Sequence, residues 1–190
     1  MENLFLVCLI PPKDVVDDIH DLRNFISEKF TVFESLKRPV HLTLYDPVRI
    51  TSLSQEENFF SALNNASYSE SFDQILLNFN SFPEHTFYID AEQNQGIINL
   101  KKQIDEELKP MKLVEKNRLK FKPHVTLAFR DLKPEVYREL ITEFKDRKFK
   151  RKFLVSAFSV YKHDGKTWQA FKEIPFKSPS EKPKPLTLFG

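Results

Sequence analysis

Only three glycines occur in the 190 residues, at positions 96, 165 and 190. A phosphate-binding P-loop and a dinucleotide fingerprint each need several glycines in one short loop, so neither can be built here. The single cysteine, Cys8, excludes an internal disulfide and a cysteine zinc cluster, and fits a reducing compartment such as the cytoplasm. His-Glu-x-x-His is absent, leaving no recognisable ligand set for a metal, and no cofactor is expected. Serine or cysteine nucleophilic catalysis has no elbow or dyad to rest on. Long apolar runs are also missing. The run from Leu4 to Ile10 follows Glu2 and is closed by Pro11 and Pro12, so it has neither the basic flank of a signal peptide nor the roughly 20 apolar residues of a membrane span. A soluble, cytoplasmic protein with no membrane partner is expected. Neither charge sign dominates: 29 basic residues stand against 27 acidic ones, which excludes a polycation that coats nucleic acid without discrimination.

What is present is the material of one globular body. Hydrophobic residues make up 41% and charged residues 29%, and 19 phenylalanines supply an aromatic-rich core. Leu4 to Ile10 predicts a buried strand. Pro12 suits a first helical position, and Val15, Val16, Ile19, Leu22, Phe25, Ile26 and Phe30 recur at helical spacing behind it. Val40 to Tyr45 alternates as a half-buried strand, with Val40, Leu42 and Leu44 on one face and His41, Thr43 and Tyr45 on the other. Ser54 and Glu57 form a capping box for a helix reaching about Ala66, and Phe72 to Phe79 returns to strand.

The order then repeats. Thr86 to Asp90 predicts a strand, Gly96 opens a helix carrying Ile97, Leu100, Ile104 and Leu108, and His124 to Arg130 predicts a strand behind Pro123. Pro134 starts a further helix, after which Phe153 to Tyr161 and Trp168 to Phe176 form a hairpin around His163-Asp164-Gly165-Lys166. His41 lies 29 residues past Pro12, and His124 lies 28 past Gly96. Two like strands thus hold equivalent places in a pseudo-two-fold repeat, about a central cleft.

Those strands carry the most informative feature: His41-Leu42-Thr43-Leu44 and His124-Val125-Thr126-Leu127. Five histidines and eight threonines give about 0.2 His-x-Thr triplets by chance in a chain of this length, against two in equivalent strands. Alternation puts each imidazole and hydroxyl on one face, so two such strands make a four-point phosphate clamp. An unperturbed imidazole pKa of about 6.5 lets one copy act as base while the other acts as acid near neutral pH. Taken singly, a strand histidine is most often a hydrogen-bonded structural residue; the pairing is what carries the reading.

In these segments, Val-His-Leu-Thr-Leu from Val40 and Lys-Pro-His-Val-Thr-Leu from Lys122, the chain resembles the two-histidine phosphoesterase superfamily, which includes 2′-5′ RNA ligase-like proteins and 2′,3′-cyclic nucleotide phosphodiesterases. The resemblance extends to the opening strand and helix and the closing hairpin. It implies an α+β fold of two pseudo-symmetric lobes, each an antiparallel sheet with two helices, with the His-x-Thr strands facing a central cleft. It also implies catalytic roles for His41 and His124 and phosphate contacts from Thr43 and Thr126. Many ligase-like members carry arginine five residues after the second histidine, where this chain has Phe129 followed by Arg130. On an unbroken strand Arg130 and Tyr45 share the motif face and are secondary substrate-binding candidates.

The expected organisation is one bilobal phosphoesterase domain over residues 1–176 with an extended C-terminal tail over 177–190, acting as a monomer. The expected activity is metal-independent hydrolysis, or reversible ligation, at 2′,3′-cyclic nucleotide or RNA ends or 2′-5′ linkages. A non-catalytic nucleotide- or RNA-binding module that keeps the clamp is the rival. Two basic stretches, Lys109 to Lys122 and Lys145 to Lys152, flank the second motif and could steer a nucleic acid, although acidic residues interrupt both and solvated charge is the commoner role.

Overall fold

A computed structural model describes residues 2–113 and 120–183. The strands are β1 (Asn3–Leu9), β2 (Leu42–Ile50), β3 (Phe72–Phe82), β4 (Thr86–Ala91), β5 (His124–Phe129), β6 (Lys150–Val155), β7 (Ala157–His163) and β8 (Trp168–Pro175). The helices are α1 (Lys13–Phe30), α2 (Leu53–Ala66), α3 (Gln95–Leu108) and α4 (Pro134–Phe144), and a short 3₁₀ turn spans Glu34–Lys37. None of these helices is long and apolar enough to cross a membrane.

Local chemistry sets the boundaries. Pro12 stays extended and caps α1 from outside rather than opening it; its carbonyl accepts from Val16 N–H at 2.9 Å. Ser52, two residues before the expected cap, starts α2. Its hydroxyl accepts from Gln55 N–H at 3.1 Å, while Gln55 Oε1 reaches back to Thr51 N–H at 2.8 Å. Ser-x-x-Gln at 52–55 therefore caps in place of Ser-x-x-Glu at 54–57, because β2 ends at Ile50 and leaves only a two-residue link. Gly96 sits in the first turn of α3 where a Cβ would lie 2.2 Å from the Phe72 ring, so only glycine lets the helix start so close to β3.

The eight strands form one antiparallel sheet in the order β6-β3-β4-β5-β2-β1-β7-β8. Its middle is thin. Leu42 opposite Val125 is the only β2–β5 pair, so the sheet is two four-stranded lobes joined at a one-residue seam. Helices cover one face of each lobe, two apiece, and the long helices cross over. α1 follows β1 but packs beside β5 and α4 on the other lobe, and α3 follows β4 but packs on α2 and β2. Aromatic residues fill both cores: Phe59 and Phe60 of α2 lie against Phe5, and Phe144 of α4 against Phe79 and Phe87. A fully buried side chain of this kind contributes about 1.5–3 kcal/mol.

The stretch Phe153 to Tyr161 is two strands rather than one. Buried positions run Phe153, Val155, then Phe158, Val160, a one-residue slip in the alternation. Ser156 sits at the slip, where the chain leaves β6 at one end of the sheet and enters β7 in the other lobe. Beyond β8, Lys177 N–H donates to Ser67 O at 2.8 Å, Pro179–Glu181 makes a 3₁₀ turn, and Lys182 pairs with Glu107 at 3.0 Å. Residues 184–190 of the expected tail, and 114–119 of the first basic stretch, lie outside the described residues.

Candidate active site

The seam brings the two motifs together. His41, Thr43, His124 and Thr126 line one cavity of about 120 Å³. At ~30 Å³ per liquid water that is space for about four waters, enough for a compact anion. A larger groove of about 680 Å³ between α2 and the end of α3 is lined by hydroxyls and amides around Glu107, with no paired acid and base.

The histidines are held alike. His41 Nδ1 lies 2.8 Å from the Pro39 carbonyl, and His124 Nδ1 lies 2.8 Å from the Lys122 carbonyl, each two residues upstream. A carbonyl only accepts, so Nδ1 carries the proton in both rings, which leaves Nε2 for the cavity as acceptor when neutral and donor when charged.

Both motif strands also carry the same irregularity. Val7 and Cys8 of β1 face Tyr45 and Thr43, and Phe87 and Tyr88 of β4 face Ala128 and Thr126, so Leu44 and Leu127 are each the extra residue of a β-bulge. A bulge reverses the faces beyond it. Tyr45, expected beside His41, turns to the helix-covered side, where it is 4% exposed with Lys101 of α3 5.8 Å from its ring. Arg130, expected beside His124, lies past the end of β5 in a left-handed conformation (φ 63°) and is exposed. Neither lines the cavity. Phe129 does, because the bulge brings the residue five after His124 onto the motif face.

Four further residues complete the lining: Arg23 of α1, Ser35 and Arg38 of the 3₁₀ turn and its exit, and Thr86 of β4. The guanidinium of Arg38 lies 4.8 Å from the Phe129 ring centre. Sequence reasoning missed these four, yet Arg23 left a signal. It falls at the i+4 step of the buried stripe Val15, Ile19, Ile26, Phe30, where a cation has no reason to be unless something inside needs it.

The electrostatics of the two histidines differ. Burial lowers the His41 pKa to about 4, reinforced by Arg23, Arg38 and His124 and opposed by the bond to Pro39. Burial also lowers His124, with Lys122 adding to the effect, but its bond to the Lys122 carbonyl and the charge of Asp90 pull the other way. Asp90 is opposite His124 in the ladder and 3.5 Å from Lys122. Tyr88 and Phe82 wall the His124 ring at centre distances of 4.8 and 5.3 Å.

A family model for the 2′-5′ RNA ligase superfamily matches residues 11–167, more than half of the chain. The chain belongs to that superfamily. This 2′-5′ RNA ligase-like chain also shares its fold with solved structures of low identity. TT0787 of Thermus thermophilus superposes with a TM-score of 0.68 at 15% identity, over 92% of this chain and 98% of that one. LigT of E. coli, complexed with 3′-AMP, gives 0.67 at 19% identity over 94% and 100%. A structure described as a phosphoesterase gives 0.63 at 17% over 93% and 99%. Among curated protein sequences nothing matches. The superfamily is one of two-histidine phosphoesterases, and the α+β fold of two four-stranded antiparallel lobes is its fold.

Proposed function

We propose that this superfamily member is a metal-independent phosphoesterase acting on 2′,3′-cyclic phosphate ends or 2′-5′ linkages of nucleotides or RNA. The observation that carries the reading is the mirrored pair of imidazoles, each with Nδ1 tied to a carbonyl and Nε2 left for one small cavity. A phosphodiester fills the cavity while its ribose and base remain in the open cleft. Thr43 and Thr126 donate to nonbridging oxygens. Arg38, stacked on Phe129, supplies a guanidinium at the wall where ligase-like relatives carry arginine in the strand. His41, held neutral among cations, takes the proton of the attacking water or ribose hydroxyl. His124, with Asp90 at its back, gives a proton to the leaving oxygen. In the ligation direction the two roles exchange.

The test is hydrolysis of a 2′,3′-cyclic nucleotide panel in EDTA across pH, comparing the parent with His41→Ala and His124→Ala. A bell-shaped, EDTA-resistant rate lost in both variants is expected. Activity that survives both substitutions sinks the site, and nucleotide binding without turnover on any diester favours a binding module.

A further inference from the structure

Arg23 is 1% exposed, and no carboxylate pairs with it among the described residues. Its guanidinium is spent on main chain. Nε and Nη2 donate to the Thr126 carbonyl at 3.1 and 2.7 Å, and Nη1 donates to the Arg38 carbonyl at 2.9 Å. Thr126 belongs to β5 in one lobe, while Arg38 lies three residues before His41 on the approach to β2 in the other. One planar fork therefore spans the seam where the sheet supplies only the Leu42–Val125 pair.

The fork is also incomplete. Among the described residues three of the five N–H groups find acceptors, and the side chain lines the cavity. Burial and the charge of Arg38 lower the Arg23 pKa to about 10, which leaves it protonated at neutral pH. Beside it the Ser35 hydroxyl, 1% exposed and lining the same cavity, has no hydrogen-bond partner among the described residues. A buried cation without a counter-charge and an orphaned buried hydroxyl are both costly until something in the cavity answers them.

We propose that Arg23 is a positioning residue that sets the spacing of His41 and His124 across the seam, and that an anion in the cavity supplies its missing counter-charge, so that occupancy stabilises the join between the lobes. The kinetic half of this proposal rests on the two-histidine reading; the stability half does not. Lysine can keep the charge, but its compact ammonium cannot fill the fork between two carbonyls. Charge and geometry can therefore be separated.

The experiment compares the parent with R23K and R23Q in three readouts. Inorganic phosphate raises the melting temperature of the parent and of R23K, and raises that of R23Q by a clearly smaller amount. On a cyclic nucleotide that the parent hydrolyses, R23K loses about 10²-fold in kcat with KM within about threefold, the signature of misplaced rather than missing groups. In NMR titrations the His41 ring gains a proton at higher pH in R23Q than in the parent, and R23K stays near the parent. Parental kcat in R23K, a KM-only effect, or undiminished phosphate stabilisation in R23Q overturns the proposal. Should R23Q fail to fold, R23K decides alone. If the parent turns over no diester, the reading of function and the kinetic half fail with it, while the phosphate shift and the His41 titration still decide whether an anion in the cavity answers the charge of Arg23.

Discussion

His41 and His124 stand on matched scaffolds in unmatched surroundings. Each is followed two residues later by threonine, three residues later by a bulged leucine, and each has Nδ1 fixed to a carbonyl two residues upstream. The guanidiniums of Arg23 and Arg38 act on His41, whereas Asp90 and Lys122 act on His124, whose ring lies beside Tyr88 and Phe82. Backbone symmetry delivers two equivalent imidazoles to one cavity, and the side chains at its rim then make them unequal. A reaction needing a base and an acid at once is served by this division.

The largest break in the comparison comes from the histidines themselves. His41→Ala and His124→Ala each lower kcat/KM by about 10²–10⁴-fold on a diester with an alkoxide leaving group. The two separate on a p-nitrophenyl ester, whose leaving group needs no proton: activity returns in His124→Ala and stays lost in His41→Ala. Rescue of the opposite variant reverses the assignment.

Thr43→Ala and Thr126→Ala come next, and here the matched scaffold predicts matched losses. One hydrogen bond to a charged phosphate is worth about 1.5–3 kcal/mol, or roughly 10- to 150-fold in kcat/KM for each variant. A tenfold inequality between them would show that the phosphate lies off the pseudo-two-fold axis.

Stability sharpens the contrast through pH. The His41 pKa is lower in the folded chain than its ordinary 6.5, so between pH 6.5 and about 4 the unfolded chain binds a proton that the folded chain refuses. Stability from this site is therefore present above pH 6.5 and falls with the pH through that window, by up to about 3 kcal/mol. Urea unfolding at pH 7 and 4.5 measures it, and His41→Gln flattens the dependence.

The smallest effect is expected at Asp90. Its charge raises the His124 pKa, so Asp90→Asn lowers it further and shifts the alkaline limb of the rate profile to lower pH. Because Lys122 already offsets that carboxylate, the loss at neutral pH stays below about tenfold. An unmoved limb would detach His124 from the acid role.

Much of this molecule could be read from its residues, and what escaped has physical causes. Apolar alternation and helical periodicity located the strands and helices, and the paired His-x-Thr triplets located the four side chains that now share a cavity. Tyr45 and Arg130 were misplaced because a bulge adds one residue without altering composition, and strict alternation cannot register it. The division at Ser156 was visible as the slip from Phe153 and Val155 to Phe158 and Val160, but a slip does not say which lobe the next strand joins. Arg23, Ser35 and Arg38 reach the cavity through tertiary packing of α1 and its 3₁₀ exit against β5, which no local pattern encodes.

The exchanged helices have a consequence for any half of this chain standing alone. The first unit, β1-α1-β2-α2-β3, would carry its long helix and its third strand to a sheet that is not there and leave β1 and β2 half bare. Two such units together would meet the need by trading helices and strands, as partner-swapped dimers do. The 190-residue chain can be regarded as that trade made permanent, with the seam between Leu42 and Val125 as the place where two partners became one.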